Sequence, residues 1–311
     1  MSLLVIGTVA FDAIETPFGK TDKIVGGAAT YAGLAAGHFY DRVKIVSVVG
    51  NDFPASEISD LKNRGIDVEG LQIKPNEKSF FWSGRYHTDM NNRDTLITEL
   101  NVLADFDPII PGSYQDCEFL LLGNLTPNIQ QLALSRLKKR PKLVVMDTMN
   151  FWMDVALDNL LDTLTLVDVL TINDAEARQL SGEYSLVKAA NKILKMGPSY
   201  LIIKKGEHGA LLFHKDEIFS APALPLADVF DPTGAGDTFA GGFMGYLAKI
   251  GIIDFNTMKE AIIYGSALAS FCVEKFGTER LKSLTKDTIT DRIQEFVKLS
   301  SFSIRNHSEL T

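Results

Sequence analysis

Positive charge is scarce in this chain. Its 311 residues include 31 Lys and Arg against 39 Asp and Glu, a net charge of −8. That balance argues against a nucleic-acid or anionic-membrane partner, because both need a basic surface. Cysteine is nearly absent too. Cys117 and Cys272 are too few and too far apart for a disulfide framework, so both are expected to be reduced thiols in a cytosolic protein. No apolar run approaches the ~18 residues of a membrane span. Met1–Gly7 lacks a basic stretch and passes directly into a strand-like pattern, so no signal peptide is expected. His38, His87, His208, His214 and His307 show no metal-ligand spacing. After the first strand the chain reads Gly7-Thr8-Val9-Ala10-Phe11-Asp12, without the G-x-G-x-x-G that a nicotinamide dehydrogenase would carry. Internal repeats and low-complexity segments are also missing.

What remains is an ordinary globular composition, 46% apolar and 23% charged, long enough to bury about three quarters of the unfolded surface. Short apolar runs at Leu3–Ile6, Val43–Val49, Phe119–Leu122, Leu143–Met146, Val169–Ile172 and Tyr200–Ile203 read as buried strands. Phe53–Asn63, Asn128–Leu137 and Leu186–Met196 read as helices between them, and Ala235–Lys249 and Thr257–Lys275 as two C-terminal helices. Such alternation predicts an α/β fold, a doubly wound, mainly parallel sheet with helices on both faces. One domain is expected over residues 1–299, followed by a polar tail at 300–311. Two stretches, 12–23 and 70–101, alternate instead and predict a small β-lid. Its aromatic run Phe80-Phe81-Trp82 with Tyr86 has one face for a site and one that needs covering, so a homodimer joined through the lids is expected.

The most informative segment is Asp231-Pro232-Thr233-Gly234-Ala235-Gly236-Asp237-Thr238. Its glycines sit where a loop becomes a helix, and a helix start offers unpaired N–H groups to an anion. An acid in that position would repel a phosphate. Asp237 makes sense there if it accepts the proton of a hydroxyl that attacks the phosphate, with the N–H groups of Ala235, Gly236 and Asp237 around the transferring group. The helix start is expected to hold the Asp237 pKa low, leaving it mainly to orient the nucleophile.

This segment resembles the C-terminal signature of the ribokinase-like (PfkB) carbohydrate kinases, with Pro232 in place of the usual Thr. Three further motifs occur in family order: Gly26-Gly27-Ala28-Ala29-Thr30, Asn173-Asp174-Ala175-Glu176 and Lys205-Gly206-Glu207-His208-Gly209-Ala210. Asn173 and Glu176 alone would read as a helix cap and its capping-box partner. The resemblance implies an ATP- and Mg²⁺-dependent transfer to a hydroxyl of a small sugar or polyol. Asp12, Gly26 and Gly27 would then bind substrate. Asn173, Glu176, Lys205, Gly206, Gly209 and Ser266 would bind the nucleotide, Glu176 holding Mg²⁺ through water. Asp231, Thr233, Cys272, Lys275 and Gly277 match the family's loop for a monovalent cation such as K⁺.

Two positions depart from the pattern. Tyr31 stands where the sugar kinases carry Asn, and Asn124 stands where ribokinase-type enzymes draw an acidic contact from a middle strand. Both departures count against ribose as the substrate, and Arg85 and Tyr86 on the lid are candidates to compensate. A nucleoside kinase of the same fold is the alternative, its base stacked on the lid aromatics. A non-catalytic ligand-binding homologue is a third reading, against which stands the retained Asp237.

Overall fold

The computed structural model describes residues 2–303, so His307 and most of the polar tail lie outside it. The strands are β1 (Leu3–Ile6), β2 (Ala10–Thr16), β3 (Gly19–Lys20), β4 (Ile24–Gly26), β5 (Val43–Gly50), β6 (Asp67–Lys74) and β7 (Phe81–Tyr86). They continue as β8 (Arg93–Glu99), β9 (Phe119–Leu122), β10 (Leu143–Asp147), β11 (Val169–Asn173), β12 (Tyr200–Lys204), β13 (Ala210–His214) and β14 (Glu217–Ala221). Nine of them form one sheet in the order β14-β13-β12-β11-β10-β9-β1-β5-β6, parallel except for the hairpin edge β12-β13-β14. The parallel strands are apolar runs buried on both faces, the pattern a helix-covered sheet requires.

Helices α1 (Ala28–Gly37), α2 (Ala55–Asn63), α3 (Pro127–Ser135), α4 (Asn150–Val155), α5 (Leu157–Leu164), α6 (Asp174–Ser181) and α7 (Leu186–Ile193) follow the strands. Then come α8 (Ala235–Ile250), α9 (Phe255–Cys272), α10 (Glu279–Lys282) and α11 (Lys286–Ser300). One core joins the sheet to α1, α8 and α9; the other joins it to α3, α5, α6 and α7. Helix α8 touches both neighbours closely. Side chains at Gly241 and Gly245 would run into the α1 backbone at 2.2 and 2.7 Å. Among the described residues no helix is long and apolar enough to cross a membrane.

From β1 the chain moves outward to β5 and β6, then returns to β9 on the other side and runs on to β12. Strand order reverses between β1 and β9, and in open α/β sheets the crevice beyond the strand ends at such a point holds the ligand. A second sheet, ordered β3-β2-β7-β8 with β4 also on β2, stands where the sequence predicts the lid and is called the lid below. Its extent differs from the sequence expectation. Residues 70–74 belong to β6 at the edge of the main sheet, whereas β2 and β4 bring in residues from Ala10 to Gly26. Phe81, partly buried, packs against the main core, and the seven residues of β8 form an exposed outer strand.

Candidate active site

The turn into α8 is built by three locks. Asp231 is fully buried and accepts the N–H groups of Thr233 and Gly277, each at 2.8 Å, tying the turn to the loop beyond α9. Gly234 adopts a left-handed conformation (φ 74°), and a Cβ there would stand 2.5 Å from the Tyr31 ring. Only glycine satisfies both conditions. The third lock is Thr233, whose hydroxyl donates to that of Tyr86 on the lid at 3.1 Å.

At the start of α8, Ala235 donates its N–H back to the Pro232 carbonyl at 3.2 Å, so it is not the open donor expected from the sequence. The N–H groups of Gly236 and Asp237 find no acceptor among the described residues. Asp237 is half-buried in this first turn. Burial pushes its carboxyl up to about 7, Asp147 adds to the rise, and Lys204 and Arg93 oppose it. The helix start favours the charged carboxylate, but burial acts the other way and outweighs it.

Lys204 ends β12 and Asp147 ends β10, and their side chains meet at 3.2 Å. A Cβ on Gly236 would lie 3.1 Å from the Lys204 ammonium, which places this cation beside the α8 start. Burial works against the charged lysine, but Asp147, Glu176 and Asp237 together outweigh it and raise its pKa. Asn173 and Glu176 form a full capping box on α6, each backbone N–H bonded to the other's side chain at 2.8 Å. The Glu176 carboxyl is pushed up to about 7 by burial, with Lys204 opposing.

On the lid side, Asp12 is 4% exposed and accepts the Gly27 N–H. Burial first, then the charges of Asp231 and Asp237, push its carboxyl up to about 7. A side chain at Gly26 would stand 1.9 Å from the Asp12 carboxylate, and Gly27 (φ 92°) leads into α1. The first amides of α1 are already taken: Ala28 donates to the Thr8 hydroxyl and Ala29 to the Thr8 carbonyl, at 2.9 and 2.8 Å.

Several sequence candidates sit differently from their expected roles. Tyr31 is 1% exposed and forms the floor under Gly234, its hydroxyl unpartnered. Arg85 points out on the lid, where it pairs with Glu15 at 2.8 Å. The Asn124 amide is engaged on both sides, donating to the Met149 sulfur (3.1 Å) and accepting the Trp152 indole N–H (2.8 Å). Lys205 only closes the β12–β13 turn with Gly209; its neighbour Lys204 reaches the site. Ser266 is half-buried on α9. In the cation loop, Cys272 donates its thiol to the Thr233 carbonyl (3.6 Å) and Lys275 pairs with Glu279. Both Asp231 oxygens and the Thr233 carbonyl accept hydrogen bonds from the chain's own groups.

Asp147, Lys204 and Arg93 escaped the sequence reading, and Tyr86 was expected only as a lid aromatic beside the substrate, not as a partner of Thr233. The first two had a signal: each is the polar last residue of an otherwise apolar buried strand, hence at the carboxyl edge of the sheet. Tyr86 and Arg93 depend on lid pairing, which has no local signature.

The site and fold together define a phosphotransferase of the sugar-kinase type. The pfkB family carbohydrate kinase pattern matches residues 2–285, and the chain belongs to that family. A cytidine kinase from Thermococcus kodakarensis is 31% identical over 78% of this chain and 87% of that protein. Two solved structures share the fold: the Burkholderia thailandensis nucleoside kinase in complex with inosine and the Arabidopsis thaliana ribokinase complexed with ribose and ATP. The first has a TM-score of 0.77 at 20% identity, covering 94% of this chain and 97% of that one. The second has 0.75 at 20%, covering 94% and 98%.

Proposed function

We propose that this chain transfers the γ-phosphoryl group of ATP to a hydroxyl of a small sugar, polyol or ribonucleoside. The observation that carries the reading is Asp237: a carboxyl held near neutrality in the same helix turn as two open N–H donors, with the Lys204 ammonium beside it. Asp12 would hold acceptor hydroxyls and Asp237 would take the proton of the attacking one. The Gly236 and Asp237 amides and Lys204 would face the phosphoryl oxygens. Among the described residues no three His, Cys, Asp or Glu side chains converge to hold a metal. An Mg²⁺ would arrive on the nucleotide's own phosphates and meet Glu176 through water. When bound, Mg²⁺ neutralises charge on the β- and γ-phosphates.

One observation favours a nucleoside acceptor over a free sugar. The Asn124 amide, which a sugar hydroxyl would need, is locked to Trp152 and Met149, so that wall is aromatic and thioether-rich. The relative named a cytidine kinase is consistent with that choice. The deciding experiment measures ADP release with ribose, an inositol, cytidine and inosine in parallel. Turnover on none of the four would overturn the acceptor class proposed.

The lid-joined homodimer is retained as a proposal, but its contact moves to β8. That strand is unpaired on one side and exposes Leu96 and Ile97. Light scattering of Ile97→Asp should show dissociation if β8 is the contact, and an unchanged mass would exclude it.

A further inference from the structure

Arg93 opens β8, directly opposite Tyr86 in the lid ladder. Tyr86 is the residue that bonds Thr233, so the pairing brings Arg93 to the turn that feeds α8. Two positions back along the hairpin, Asn91 reaches the β12–β13 turn: a Cβ on Gly206 (φ 54°) would stand 2.6 Å from its side-chain oxygen. The hairpin tip therefore lies across the line from the phosphoryl-accepting end of the cleft to the nucleotide end. The lid carries two arginines with different fates. Arg85 is held by Glu15, whereas Arg93 has no ion pair among the described residues and rests 5.8 Å from the Trp82 ring centre. Its charge is felt by Glu176 and Asp237 across the cleft.

The cleft has a charge problem that Arg93 answers. Asp12, Asp147, Glu176 and Asp237 line it, and Lys204 is already engaged by Asp147. A triphosphate placed among these acids needs a cation beyond Lys204, because like charges repel strongly where water is partly excluded. We propose that Arg93 is a catalytic residue, delivered by the lid hairpin, whose guanidinium grips the transferring phosphoryl group. This rests on the phosphotransfer reading. During transfer the bond from the γ-phosphorus to the bridging oxygen breaks and the bond to the acceptor oxygen forms. The acceptor proton passes to Asp237, and ADP departs with the bonding pair. Charge accumulates on oxygens spread in a plane, a geometry that a guanidinium fork meets with two parallel donors and an ammonium does not.

The test is Arg93→Ala beside wild-type protein, whose turnover first fixes the acceptor. If the alanine variant misfolds, Arg93→Gln keeps a side chain over Trp82 and answers the same question. The expected result is a ~10²–10³-fold drop in kcat with KM for the acceptor changed by less than about threefold. Guanidinium ion should restore part of the rate to Arg93→Ala where an equal concentration of sodium does not. Binding of ADP with aluminium fluoride should weaken far more than binding of ADP alone. A kcat within about threefold of wild type overturns the proposal. So does a loss confined to acceptor KM without guanidinium rescue, which would make Arg93 a packing residue of the lid.

Discussion

Two glycine-rich turns in this molecule feed two helices that lie side by side, and they have opposite uses. Gly26-Gly27 leads into α1 and Gly234-Ala235-Gly236 into α8; each has a glycine of positive φ at the helix start. At α1 the first amides are filled by Thr8, and the Gly27 N–H by Asp12. At α8 the Gly236 and Asp237 amides are left unfilled. A helix start is thus an anion site only where the chain withholds its own acceptors. The stopper at α1 also has a purpose, because it fixes the Asp12 carboxyl at the acceptor end.

The comparison breaks if the open start is not where chemistry occurs. Asp237→Asn should lower kcat by about 10²–10⁴-fold with ADP affinity retained by calorimetry. Activity within tenfold of wild type would remove Asp237 from the mechanism. Next in size is Gly234→Ala, which forces a Cβ into the Tyr31 ring and a residue into a left-handed conformation. A loss of about 2–3 kcal/mol in denaturant unfolding is expected, together with a kcat drop exceeding tenfold. Unchanged stability would show that the Tyr31 floor yields.

The stoppered start should respond differently. Thr8→Ala frees the Ala28 amide from its hydroxyl acceptor and should cost about 1 kcal/mol of stability, with kcat altered less than threefold. A larger catalytic than structural effect would mean that α1 is also a working anion site.

The smallest effect is a pH signature with two opposed signs. Asp12 and Asp237 have folded pKa values raised to about 7 from ordinary carboxyl values near 4. Their contribution to stability is therefore fully present below about pH 4 and is lost as pH rises through about 7. Ligand-free protein should gain a few degrees in Tm from Asp12→Asn at pH 8 and little at pH 4. Turnover goes the other way, rising through about pH 7 as Asp237 loses its proton. A gain in Tm equal at both pH values would mean that Asp12 does not titrate near neutrality.

Much of this was legible in the chain itself. The apolar runs marked six strands of the main sheet to within a residue or so, because a strand buried on both faces admits few polar residues. The α8 turn was legible because only glycine fits its backbone. The β13–β14 hairpin and β6 were not: their residues alternate as lid strands do, and only pairing partners tell the two sheets apart. Tyr31 and Arg85 have neighbours that the sequence did not reveal, for a related reason. A motif position says which residue is present, but whether its side chain meets substrate, a glycine floor or a neighbouring Glu15 is decided by residues far along the chain. Lys204 and Lys205 illustrate the limit: adjacent lysines, one turned into the cleft and one closing a turn, separated only by strand alternation.

The hydroxyl pair Tyr86–Thr233 has a bearing on thrift with the phosphoryl donor. Water is the most abundant rival to any acceptor alcohol, and a donor site that stayed assembled with the lid raised would leak phosphate to it. The turn before α8 leans on Tyr86 for one of its locks, so in the proposed kinase its full geometry would belong to a covered state from which bulk water is shut out. The hydrogen bond would then make enclosure a condition of readiness, and the architecture that positions the acceptor would also suppress idle hydrolysis.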